Sequence, residues 1–174
     1  RGDITEYSLS AVTQAILKGL MTPMVSDVTV NFVNVGVLAK ERGLKVVESK
    51  IREYQDFASL VTVTAVDGAQ SRSVSGTIFG RTNPRIVQID DFYLEAVPEG
   101  TILVIHNHDR PGVIGNIGTF LGKKNINIAR MQLGLEKGKA EAMALYNVEG
   151  EVTPQVIAEL EKLPNMISVK KVVL

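Results

Sequence analysis

His106, His108 and Asp109 stand within four residues of one another in the stretch VIHNHDRPGVIGNIGTFLGKKNINIARM, residues 104–131. Imidazole and carboxylate so close together suggest a metal site or acid–base chemistry. A zinc site needs three or four converging ligands. The chain has only these two histidines and no cysteine, and nothing in the spacing supplies the missing ligands. Hydrogen-bonding histidines on one face of a strand are the better reading. A phosphate loop is the next option, but Gly112, Gly115 and Gly118 recur every third residue. That is neither G-x-G-x-x-G nor a loop ending in Gly-Lys-Ser/Thr. Glycines so spaced serve close backbone approach and close helix packing. Nucleophilic catalysis lacks a cysteine, and no serine is near the His–Asp group in sequence.

A fourth chemistry uses more of the residues. A strand ending at Asn107 runs into a loop with Asp109, and Pro111 and Gly112 open a helix. The free N–H groups and dipole of a helix N-terminus bind a carboxylate. Asp109 can accept hydrogen bonds from an ammonium group. Asn107 and Asn127 can donate or accept, and Gly112 has no Cβ to obstruct a ligand lying along the backbone. Such a set suits a small zwitterion. The competing reading makes Asp109 a helix cap and the asparagines turn residues, and spacing alone favours it.

The elements that must position these residues are legible from periodicity. From residue 101 the order is strand, helix, strand, strand, helix, strand. TILVIHN is a strand, Pro111 falls at a helix start, and Ile114, Ile117 and Leu121 mark one helical face. INIARMQLG and AEAMALYNV flank the turn LEKGK. Thr153 and Pro154 start a helix with Val156, Ile157, Leu160 and Leu163 on its apolar face, and MISVKKVVL closes as a strand. This β-α-β-β-α-β order is the ferredoxin-like split βαβ arrangement. It predicts central first and third strands, helices on one face, and an open opposite face and second-strand edge suited to self-pairing.

The first half reads as two helices followed by a mostly antiparallel sheet. Leu9, Val12, Ile16 and Leu20 have helical spacing within 8–21, and NFVNVGVLAKERG ends in basic residues and Gly43. LKVVESK, SLVTVTAV, SRSVSGTIFG and RIVQIDDFYLEA read as strands, with a turn at Asp67-Gly68. VPEG, residues 97–100, is the expected boundary. The fold class is therefore α+β in two small domains, 1–98 and 101–174.

The totals agree. The 174 residues are 45% apolar and 22% charged, enough for a core. Nineteen basic residues balance nineteen acidic ones, so no net field favours nucleic acid or anionic membrane. With no Trp and 5% aromatics there is little to stack bases on. No apolar run reaches spanning length, and the absence of cysteine fits a reducing cytoplasm.

HNHDRPGVIGNIGTFLGKKNINIARM resembles the start of an ACT domain, whose D/N-R-P-G loop and downstream V/I-N-I form an amino-acid effector site. YSLSAVTQAILKGLM, VNVGVLAKERGLKVVESK and SVSGTIFGRTNPRIVQIDDF are similar to the intervening (allosteric substrate-binding) domain of long-form D-3-phosphoglycerate dehydrogenases. The resemblance spans essentially the whole chain in the family's domain order. It implies the regulatory end of an NAD-dependent oxidoreductase of serine synthesis, without the family's nucleotide-binding and catalytic residues, so no cofactor and no catalytic or metal-binding residue is expected here.

The same resemblance implies an L-serine site. Asp109 would hold the amino group, and Asn127 would come from a partner subunit. Gly112, Val113 and Ile114 would offer backbone donors to the carboxylate. Asn107 stands where several relatives have His or Tyr. The expected partners are a small amino acid and a second copy of the chain, as a dimer or tetramer. Arg72, Arg81 and Arg85 are candidates for the family's anion site, against the plainer reading of solvated hairpin charges. IDDFYLE places acidic and apolar residues where a relative has arginine. Two other readings stay open: the regulatory part of an iron–sulfur L-serine dehydratase, and a dimerisation module that binds no ligand.

Overall fold

A computed structural model describes residues 1–53, 56–136, 138 and 140–174. The fold is α+β, and its contacts gather into two compact units, residues 1–63 and 64–174.

The first unit contains a 3-10 turn (Asp3–Glu6), α1 (Ser10–Met21) and α2 (Val35–Glu41). Leu17 and Met21 of α1, and Val35 and Ala39 of α2, are each four residues apart. They meet in a small core with Val25 and Val30. The buried face of α1 is thus rotated from the expected Leu9–Leu20 stripe, and Leu20 is exposed. An asparagine pair sets the entry to α2. Asn31 Oδ1 accepts from the N–H groups of Val33 and Asn34, while Asn34 Oδ1 accepts from Asn31 N. Gly43, at φ 72°, ends the helix as expected. Residues 44–50, expected as a strand, have no ladder partner among the described residues. Val46 and Val47 are neighbours, so they point to opposite sides, and both are exposed. Polar ties hold the segment instead, from Thr13 to Glu48 and from Lys50 to the carbonyls of Thr5 and Tyr7.

In the second unit one antiparallel sheet has the order β1 (Val61–Asp67), β2 (Gln70–Phe79), β3 (Asn83–Ile89), β4 (Phe92–Ala96). The expected single strand RIVQIDDFYLEA is divided by a turn in which Asp90 takes φ 49°, a conformation Asp tolerates. The second sheet is built from β5 (Thr101–His108), α3 (Val113–Lys123), β6 (Asn127–Leu135), β7 (Glu141–Glu149), α4 (Pro154–Leu160) and β8 (Met166–Val173), with strand order β6-β7-β5-β8. This is the expected split βαβ topology, with the first and third strands of the module central.

Strand alternation sorts this sheet into two faces. Leu103, Ile105, Ala144, Tyr146, Val148 and Val169 face the helices and pack against Val113, Ile117 and Leu121 of α3 and Val156 and Leu160 of α4. Thr153 caps α4, accepting from Val156 N at 3.3 Å, and Pro154 takes the first position. Ile102, Met143 and Leu145 point to the other face. That face is not open as expected: Phe92, Leu94 and Ala96 of β4 bury it. Asn147, also on this side, donates to the carbonyls of Val97 and Glu99, which pins the connection between β4 and β5.

Candidate functional site

The cleft lies at the junction of β5 and α3. Asn107, Asp109, Arg110, Pro111, Gly112, Val113, Ile114 and Gly115 line it, closed below by Leu133 and Ala142, and its volume is about 420 Å³. β5 runs one residue further than expected, to His108, because His108 still pairs with Glu141. The helix starts two residues later than expected. Gly112 takes φ 89°, outside the helical region, so Pro111 belongs to the approach and Val113 is the first helical residue.

That geometry decides the role of Asp109 in the loop. Among the described residues no side chain caps α3, so Asp109 is not its cap. Among the described residues its carboxylate has no hydrogen-bond or ion-pair partner, while its backbone N–H donates to Ala140 O at 2.8 Å. Val113 N donates weakly to Arg110 O at 3.3 Å, and the N–H groups of Gly112, Ile114 and Gly115 have no acceptor among the described residues. A carboxylate acceptor and several backbone donors therefore share one cleft. Asn107 is buried, with its amide donated to His108 O at 2.8 Å and its oxygen left as an acceptor. Leu133, Ala142 and the exposed Ile114 provide an apolar wall. The sequence pattern missed Leu133 and Ala142, which reach the cleft only through strand register, Asn107 against Ala142 and Ala142 against Leu135.

Asn127 is not in the cleft. It opens β6 opposite Glu149, eight residues and about 26 Å along the strand from Leu135. His106 faces away from the cleft, 2.8 Å from Glu141 and edge-on to the Phe92 ring at 5.4 Å. His108 is exposed, and no group of three His, Asp or Glu among the described residues is placed to hold a metal. The arginines do not converge as a trio. Arg72 pairs with Asp90 at 2.6 Å at one end of the β2–β3 hairpin, while Arg81 lies in the connection at its tip and Arg85 stands opposite Thr77, five residues and about 17 Å along β2 from Arg72. Arg85 donates to Pro84 O and lies over the Phe79 ring.

Residues 101–174 thus form a ferredoxin-like α+β module whose cleft opens where its first strand meets its first helix. A family model of the D-3-phosphoglycerate dehydrogenase intervening domain matches residues 1–90, and an ACT domain model matches residues 101–165. The chain belongs to the D-3-phosphoglycerate dehydrogenase intervening-domain family, followed by an ACT domain. It is similar to D-3-phosphoglycerate dehydrogenase of Bacillus subtilis (strain 168), 33% identical over 169 residues, 97% of this chain and 32% of the relative. The protein of that name from Archaeoglobus fulgidus is 35% identical over 168 residues, 95% of this chain and 32% of the relative. That of Methanocaldococcus jannaschii is 32% identical over 165 residues, 95% of this chain and 31% of the relative. The chain spans about a third of the length of these relatives and matches their C-terminal regulatory region. No helix of the described residues is long and apolar enough to cross a membrane.

Proposed function

We propose that this chain is the regulatory region of a cytoplasmic, NAD-dependent D-3-phosphoglycerate dehydrogenase and that its cleft binds L-serine as a feedback effector. The observation that carries the reading is the pairing of an Asp109 carboxylate with N–H groups at the start of α3, all without a partner among the described residues. The first suits an α-ammonium group and the second an α-carboxylate. Asn107, Leu133 and Ala142 line the part of the cleft left for the side chain. Oxidation of 3-phosphoglycerate and the NAD site belong to domains outside these 174 residues. In this reading an intervening domain (1–98) passes into the ACT domain (101–174) through VPEG, residues 97–100.

Self-association completes the site. β6 is an edge strand, and Arg130 is its only charged residue. Two copies pairing β6 to β6 antiparallel about Met131 would set Asn127 of one opposite Leu135 of the other. A residue remote from its own cleft would then stand beside its partner's. Serine touching both copies favours one arrangement of the pair, and coupling of this kind is worth about 1–3 kcal/mol. Arg81 and Arg85 remain the pair that could take an anion in the intervening domain.

Calorimetric titration with L-serine tests the reading, with D-serine, glycine and phosphate as controls and Asp109→Ala alongside. Stereoselective binding that is lost in the variant supports it. A folded, dimeric chain that binds no amino acid overturns it and leaves a ligand-free dimerisation module.

A further inference from the structure

The cleft wall and the seat of β4 are made by the same three stretches of backbone. Asn107, Leu133 and Ala142 face the cleft. Their neighbours His106, Gly134 and Met143 point to the opposite face, because side chains alternate along a strand. There each meets β4. His106 lies edge-on to Phe92, and Met143 packs in the cluster of Phe92, Leu94 and Ala96. Gly134 lies so close beneath β4 that a Cβ there would come within 2.6 Å of Tyr93 O and 3.2 Å of Phe92 Cβ. Glu141, beside Ala142, holds His106 at 2.8 Å and so ties β5 to β7 just behind the cleft. Further along, Asn147 holds the carbonyls of Val97 and Glu99 at 3.1 and 2.9 Å, and Arg130 pairs with Glu99.

We infer that β4 and its connection to β5, residues 92–100, are the element that reads cleft occupancy from behind the sheet. The inference rests on the effector reading above and adds the route by which a bound ligand is felt. A ligand against Asn107, Leu133 and Ala142 fixes three strands whose reverse side is the β4 contact. Interiors packed this closely pass on small shifts rather than absorbing them. Binding therefore tightens the seat of β4. By reciprocity, loosening that seat must weaken the ligand by the same factor. Residues 92–100 also lead back to the rest of the intervening domain, so a change in their stability is available to whatever precedes them.

Hydrogen exchange of the full 174-residue chain, with and without saturating L-serine, tests this together with titration of Gly134→Ala. The substitution leaves every cleft side chain in place and drives a methyl group into Tyr93 O. The expected result is slower exchange of the 92–100 amides with L-serine and an affinity at least about fivefold weaker in Gly134→Ala. If Gly134→Ala does not fold, Asn147→Ala, which frees only the 97–99 carbonyls, replaces it in the affinity arm. L-serine binding with unchanged exchange at 92–100 and unchanged affinity in the variant overturns the inference and leaves the effector site standing. Failure of the wild-type chain to bind L-serine overturns both.

Discussion

Asn127 donates its side-chain amide to Glu149 at 2.9 Å across the β6–β7 ladder, at the end of β6 away from Asp109. Within one chain this exposed bond contributes little to folding. Any effect of Asn127 on ligand binding must then act through a second copy. Asn127→Ala is expected to weaken L-serine about tenfold or more while changing the unfolding free energy by no more than about 1 kcal/mol. Titration beside a urea melt checks this, and equal binding by the variant removes Asn127 from the site.

Tyr146 is fully buried among the residues beneath α3 and α4, and among the described residues its hydroxyl has no hydrogen-bond partner. A buried orphan hydroxyl costs more than a missing one. Tyr146→Phe should therefore raise stability by about 1 kcal/mol in urea unfolding at neutral pH.

The same burial makes stability sensitive to alkali. Desolvation pushes the Tyr146 phenol up to about 12, against 10.0 in the unfolded chain. Above pH 10 the unfolded chain releases this proton while the folded chain keeps it. Stability is thus full below pH 10 and falls as pH rises towards 12, by about 3 kcal/mol at most from this group. Unfolding of wild type and Tyr146→Phe across pH 8 to 12 should diverge, with the smaller loss in the variant.

Lys124 at the end of α3 donates to Glu159 of α4 at 2.6 Å. That hydrogen bond, with a second from Gln155, holds the Glu159 carboxyl below its usual range. A lowered carboxyl pKa adds stability that is present above the unfolded value and lost as pH falls through the folded one. Lys124→Ala is expected to move the Glu159 titration upward by carbon-detected NMR and to flatten the acid limb of the stability curve.

At the start of α4, loss of the Thr153 cap should cost about 1 kcal/mol. A Thr153→Ala melt reads this directly, and Thr153→Asn, which can still cap, should recover most of it.

The βαββαβ module was legible because its signals are local. Thr153-Pro154 marks a helix start, and Ile117 and Leu121 mark a helical face. Asp109 and the N-terminal end of α3 could be named for the same reason. Leu133 and Ala142 could not, since only register brings three strands to one floor. The LKVVESK segment failed as a strand because β-propensity is realised only where an edge and a buried face are available, and Val46 and Val47 found neither. The cover that β4 gives to the second sheet was also hidden. The alternation in FYLEA shows that Phe92, Leu94 and Ala96 want burial without saying against what. Arg72, Arg81 and Arg85 looked like a group in sequence, but the hairpin sets Arg72 apart from the other two.

The burial of Ile102, Met143 and Leu145 by β4 bears on how this protein can be cut. A fragment starting at residue 101 would keep every strand and helix of the ACT fold, yet it would bare an apolar surface that the 174-residue chain keeps dry. Such a fragment is a poor stand-in for the domain. Its association in solution would report the uncovered sheet rather than the β6 edge. A piece starting before β1, near residue 58, carries its own cover and is the shorter length on which the proposed self-association can be tested cleanly.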